Sequence, residues 1–146
     1  MAMCQAVLPQ FRERRAGVIV NVTSSSVLAP MPLVAAYTAS KTAVEGFTAS
    51  LALELAESGI RARLVQPGYA PTTRFAANGG ERMRGLIPEA YDGYAQRVFA
   101  MLTQVKDVTA EADVAEAVWR AATEVDSPLR LPAGADAVAL ARSAVS

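Results

Sequence analysis

Tyr37 and Lys41 are the residues in this sequence whose types and spacing most directly suggest chemistry. Four positions apart on a helix, they share one face, about one turn from each other. A phenol is a poor base at neutral pH, its ordinary pKa lying near 10. An ammonium held beside it favours the phenolate. Such a pair can trade a proton with an alcohol or carbonyl oxygen near neutrality. Taken alone, the spacing fits a plain surface pair equally well. Ser24 follows an apolar run that ends at Val22, the kind of place where α/β sheets bind their ligands. A hydroxyl there can donate to a developing oxyanion, although Thr23-Ser24-Ser25-Ser26 also reads as a turn or helix cap. Pro67-Gly68 ends a second apolar run in the same way, with Thr72 four residues on. Glycine lets a backbone approach a ligand closely; the plain alternative is an ordinary turn.

The elements that must position these residues follow from periodicity. Residues 2–15 read as a helix with Ala6, Val7, Gln10 and Phe11 stepping round it, Pro9 as a kink or break, and Gly17 as its stop. Val18–Val22 is β-branched and apolar on both faces, which suits a parallel strand covered on both sides. From Tyr37 to Ser58, Val44, Phe47, Leu51 and Leu55 recur at helical steps, and Gly59 ends the pattern. Ile60–Gln66 is a second strand, broken by Pro67-Gly68. Residues 69–87 are expected to be irregular, and a helix is expected over 89–105, with Pro88 at its start. Thr109 is placed to cap a further helix carrying Val114, Val118 and Trp119. Leu129–Leu131 forms a short third strand, and a small helix over 135–141 follows. Strands alternating with helices predict an α/β fold with a parallel sheet, here of about three strands.

Composition removes other chemistries. Apolar residues make up 52% of the chain, which favours a packed core over disorder. Fourteen basic residues balance fourteen acidic ones, so the basic surplus that nucleic acid demands is missing. With one cysteine and no histidine, a disulfide within the chain, a Cys/His zinc site, a Ser-His-Asp triad and a Cys-His dyad are all excluded. No apolar run reaches the roughly 18 residues of a membrane span. Met1–Pro9 carries no basic leader and reads as a helix, so a cytoplasmic location is the expectation.

In combination the motifs are specific. Gly17-Val-Ile-Val-Asn-Val-Thr-Ser24, Tyr37-Thr-Ala-Ser-Lys41, Leu53-Glu-Leu55, Gly59-Ile60-Arg61 and Pro67-Gly-Tyr-Ala-Pro-Thr72 resemble, in order and spacing, the short-chain dehydrogenase/reductase family. The match is strong from about Ala6 to Thr72 and weaker on to Leu131-Pro-Ala-Gly-Ala-Asp136. The resemblance implies the C-terminal half of a doubly wound, Rossmann-type parallel sheet. It implies hydride transfer between NAD or NADP and a small-molecule secondary alcohol or carbonyl. In that frame Tyr37 is the general acid/base, and Ser24 hydrogen-bonds the substrate oxygen. Lys41 favours the phenolate and binds the nicotinamide ribose, while Pro67, Gly68, Ala70 and Thr72 lie along the nicotinamide. Residues 1–72 form the catalytic segment, 73–104 a substrate loop and 105–146 a closing helix-strand-helix, all within one partial domain. Phe75, Met83, Leu86, Ile87, Tyr91, Tyr94 and Phe99 give the loop an apolar lining or, on the plain reading, core packing. A homodimer or homotetramer is implied as well.

The sequence departs from the family in what precedes these motifs. None of its nine glycines forms the glycine-rich turn that seats a pyrophosphate. The Asn-Ala-Gly stretch and the tetrad asparagine are missing too. Val27 and Leu28 stand where the family often has glycine. The expectation is a truncated chain, inactive by itself, with weak or no dinucleotide binding, limited solubility and a bare edge on the 18–22 strand. Two other readings compete. One is a non-catalytic remnant that dimerises through the helices at 2–15 and 37–58. The other is a Ser-Lys hydrolase using Ser24 or Ser40 with Lys41 as base, which leaves Tyr37 and Pro67-Gly68 unexplained.

Overall fold

A computed structural model describes residues 1–83 and 85–144 of the chain. Arg84 of the expected substrate loop and Val145–Ser146 of the expected closing segment lie outside the described residues. Helix α1 (Ala2–Arg14) leads to β1 (Gly17–Val22), α2 (Ala35–Leu55) and β2 (Ile60–Pro67). Then come α3 (Phe75–Met83), α4 (Asp92–Leu102), α5 (Glu111–Thr123), β3 (Arg130–Ala133) and α6 (Ala135–Ser143). The strands lie side by side in the order β1-β2-β3, both pairings parallel, with Val22 opposite Val65 and Pro67 opposite Ala133. All three strands therefore end at one edge of the sheet.

Side chains alternate across a strand, and the core divides accordingly. Ile19, Ile60 and Ala62 pack with Cys4 of α1 and with Leu51 and Leu55 of α2. Val65, Leu131 and Ala133 pack with Ala117 and Ala121 of α5. Helices thus cover both faces, the α/β arrangement the alternation predicts. Burying each Leu or Ile of the first cluster stabilises the fold by about 1.5–3 kcal/mol.

Several local expectations are corrected. Helix α1 is continuous through Pro9, without a break. It ends at Arg15, which takes the left-handed cap conformation at φ 50°, so Gly17 opens β1 instead of stopping the helix. Gly59 does end the α2 region, at φ 71°, through a short 3-10 turn at Ala56–Ser58. A β-carbon at Gly59 would strike the Arg15 carbonyl, so the turn requires glycine on both counts. Residues 75–83, expected to be irregular, form α3, and in the turn that precedes it the Thr73 hydroxyl oxygen accepts the Phe75 N–H at 3.2 Å. The helix expected over 89–105 is a 3-10 turn at Glu89–Tyr91 followed by α4. Trp119 does not join Val114 and Val118 in the core: it is 66% exposed, and the small Ala117 and Ala121 make the contact with the sheet. Strand β1 is buried fully only at Ile19, because among the described residues it pairs on one side alone.

Candidate active site

The strand ends build the site. Ser24 follows β1 and Thr23, and with extended backbone it caps the 3-10 turn Ser25–Val27, its Oγ accepting the Ser26 N–H at 3.2 Å. The capping reading of this serine is therefore correct as far as it goes. It uses an acceptor lone pair only and leaves the hydroxyl proton available to a ligand.

Tyr37 and Lys41 stand in the first two turns of α2, and both are half-buried. Lys41 Nζ lies 5.7 Å from the centroid of the Tyr37 ring, so the two side chains do share a face. The ammonium also donates to the carbonyl of Val22 at 3.2 Å, which ties α2 to the last residue of β1. An ammonium carries three donors, so this bond leaves capacity for hydroxyls of a ligand. The ring of Phe75, at the start of α3, stands 5.9 Å from that of Tyr37. The apolar residues of the 73–104 segment are mostly not core. Phe75, Leu86, Tyr91, Tyr94 and Phe99 are exposed, Met83 and Ile87 half-buried, and Ala95 and Val98 make the buried contacts.

The loop after β2 is held by a carboxylate that the sequence did not single out. Gly68 N donates to Ala133 O at 3.1 Å and Tyr69 N to Asp136 Oδ2 at 2.6 Å. Thr109 Oγ1 donates to Asp136 Oδ1 at 2.7 Å, and Thr109 N to Tyr69 O at 2.8 Å. A β-carbon on Gly68 would collide with the Asp136 carboxylate, so this glycine is required for close approach. Thr109 is accordingly no helix cap. Ala110 occupies that position, and Asp113 Oδ2 accepts its N–H at 2.8 Å. Pro67, Gly68 and Ala70 line the exit from β2, whereas the Thr72 hydroxyl is turned to Glu111 Oε1 at 2.9 Å, on the surface.

Beneath Ser24 and Pro67 lies a second carboxylate, Glu45, only 8% exposed. Its Oε1 accepts from Thr23 Oγ1 at 2.7 Å and Gln66 Nε2 at 3.0 Å, and its Oε2 pairs with Arg130 Nε at 3.0 Å. The signal for it was present: Tyr37, Lys41, Glu45 and Thr48 form a polar stripe at helical steps, and Glu45 and Thr48 are both buried. Two buried hydroxyls, Ser26 Oγ and Thr38 Oγ1, have no hydrogen-bond partner. They lie two residues after Ser24 and one after Tyr37, and buried polar atoms ordinarily have partners.

The family model for short chain dehydrogenases matches residues 1–83, and the chain belongs to that family. It is 39% identical over 123 residues to 2-(R)-hydroxypropyl-CoM dehydrogenase of Xanthobacter autotrophicus, covering 83% of this chain and 44% of that one. Among solved structures, a short-chain dehydrogenase from Streptomyces avermitilis superposes with a TM-score of 0.73 at 32% identity, covering 97% of this chain and 50% of its own. A 3-oxoacyl-[acyl-carrier protein] reductase from Brucella melitensis with bound NAD superposes with a TM-score of 0.60 at 29% identity, covering 89% and 44%. The chain spans about half the length of the relatives it matches. Its three-stranded parallel sheet with flanking helices corresponds to the Rossmann-type fold of these structures. Among the described residues no helix is long and apolar enough to cross a membrane.

Proposed function

We propose that this chain carries the proton-transfer machinery of an NAD(P)-dependent oxidoreductase acting on a small secondary alcohol or carbonyl compound. The observation that carries the reading is the Lys41 ammonium standing 5.7 Å from the Tyr37 ring at the edge where the strands end. In the oxidative direction Tyr37 takes the hydroxyl proton of the alcohol, and in reduction it returns a proton to the carbonyl oxygen. Lys41 stabilises the phenolate as that proton moves. Ser24 donates its free hydroxyl proton to the substrate oxygen as negative charge develops there.

A bound nicotinamide would supply the hydride donor or acceptor. The residues present fit such a group. Lys41 has donors to spare for ribose hydroxyls, and Ser26 and Thr38 offer unpartnered hydroxyls close by in the chain. Pro67, Ala70 and Thr72 are assigned to the same ligand, Thr72 after release from Glu111. Residues 1–72 act as the catalytic segment, 73–104 as the apolar substrate side and 105–146 as the closing segment. The relative with bound NAD supports the cofactor class.

The test is to fuse residues 1–146 to the half of the Streptomyces avermitilis relative that this chain does not cover and follow nicotinamide absorbance over a panel of ketones and alcohols. Activity is expected from the fusion and not from the chain alone. Tyr37→Phe should lower kcat by about 10²–10⁴-fold, the usual range for a positioned acid/base. A folded, active fusion indifferent to both Tyr37→Phe and Lys41→Met would end the proposal. A second reading, a module that pairs with a copy of itself, is favoured by Met3 at 76% and Leu53 at 81% exposure on α1 and α2. It predicts a dimer in sedimentation that Leu53→Glu dissociates.

A further inference from the structure

Glu45 is used by no step above, yet it is a buried carboxylate with three donors, one just after β1, one near the end of β2 and one at the start of β3. Thr23 immediately precedes Ser24, and Gln66 immediately precedes Pro67. Both donate to the same oxygen, Oε1, at 2.7 and 3.0 Å. Arg130, the first residue of β3, holds the other oxygen at 3.0 Å. Along α2, Glu45 lies one turn beyond Lys41 and two beyond Tyr37, so it shares their stripe. Lys41 in turn grips Val22, the neighbour of Thr23. One side chain therefore links the exits of β1 and β2 to the helix that carries Tyr37 and Lys41. A buried carboxylate is retained only where its hydrogen bonds are made, and hydrogen bonds to an ionised group are stronger and more directional than neutral ones.

We propose that Glu45 is a positioning residue, coupling the Ser24 and Pro67-Gly68 loops to Tyr37 and Lys41. Its functional meaning rests on the oxidoreductase reading, whereas the coupling itself can be measured without turnover. The reporters are the amides of Thr23, bonded to Val65 O at 2.8 Å, of Ser26, bonded to Ser24 Oγ at 3.2 Å, and of Gly68, bonded to Ala133 O at 3.1 Å. The Leu64 amide, bonded to Leu129 O at 2.7 Å, is the internal reference.

In the full 146-residue chain, hydrogen exchange is followed by NMR together with the Cε signal of Lys41, for wild type, Glu45→Ala, Arg130→Gln and the control Ile60→Ala. Ile60 is buried at the opposite end of β2. Loss of the carboxylate should speed all three reporter amides by about tenfold or more relative to Leu64, as the loss of a charged hydrogen bond implies, and should move the Lys41 signal. Ile60→Ala should leave those ratios and that signal unchanged. If Glu45→Ala does not fold, Arg130→Gln decides, with the same pattern expected at smaller size. Acceleration confined to Thr23, or uniform across every amide, or no movement of Lys41, would overturn the proposal and leave Glu45 a structural ion pair. A fusion without activity but with the amide coupling intact counts against the oxidoreductase reading and not against Glu45.

Discussion

Replacing Gly68 by alanine tests how the loop after β2 is held. The new β-carbon would meet both carboxylate oxygens of Asp136, and neither oxygen is free to retreat. One accepts the Tyr69 N–H at 2.6 Å and the other the Thr109 hydroxyl at 2.7 Å. Moving Asp136 aside therefore breaks two hydrogen bonds to a charged group, each worth about 1.5–3 kcal/mol. Moving the loop instead breaks the Gly68–Ala133 and Tyr69–Thr109 backbone bonds, at about 0.5–1.5 kcal/mol each. The cheaper route sets the cost, so Gly68→Ala should destabilise the chain by about 1–3 kcal/mol. Asp136→Ala loses its own bonds but removes the obstacle. Gly68→Ala added to Asp136→Ala should then cost less than about 0.5 kcal/mol. Urea unfolding of the four members of this double-mutant cycle measures the coupling, provided the slope of stability against urea stays constant. Additivity of the two substitutions within about 0.5 kcal/mol would refute the account of why glycine stands at this position.

Two further comparisons use neighbours of contrasting environment. Leu55 is fully buried and Leu53, two residues away on α2, is 81% exposed. In thermal or urea unfolding, Leu55→Ala should cost about 2–5 kcal/mol and Leu53→Ala within about 0.5 kcal/mol of nothing; similar losses at both sites would contradict the packing of α2 on the sheet. Thr109 is buried beside Asp136, whereas Thr72 reaches a surface carboxylate. Thr109→Val should therefore cost about 1–3 kcal/mol by removing its hydrogen bond to the Asp136 carboxylate, and Thr72→Val little, with chemical denaturation again the check.

The fold was legible where the local signal and the tertiary outcome coincide. The β-branched run before Thr23, the apolar helical steps through Leu51 and Leu55, and the stop at Gly59 each decide their element through backbone preference and periodicity, which short segments carry in themselves. The boundaries at 75–83 and at Arg15 differ from the glycine signals, and each lies beside a side-chain contact with backbone. Thr73 bonds the first residue of a helix that contains Gly79 and Gly80, and Arg15 adopts a glycine-like conformation while its guanidinium donates to Glu57 O at 3.1 Å.

From the order of its residues alone, this protein declares its family, its α/β class and the pairing of Tyr37 with Lys41, because a four-residue step on a helix is a local fact. Only the folded chain decides what surrounds that pair. Glu45 meets Arg130, at the start of β3, across 85 residues, and Asp136, just past the end of β3, meets Tyr69 across 67, contacts that exist because β2 and β3 pair in parallel at a fixed register. No spacing encodes such meetings; register and packing create them, and with them the carboxylate contacts that surround the candidate site.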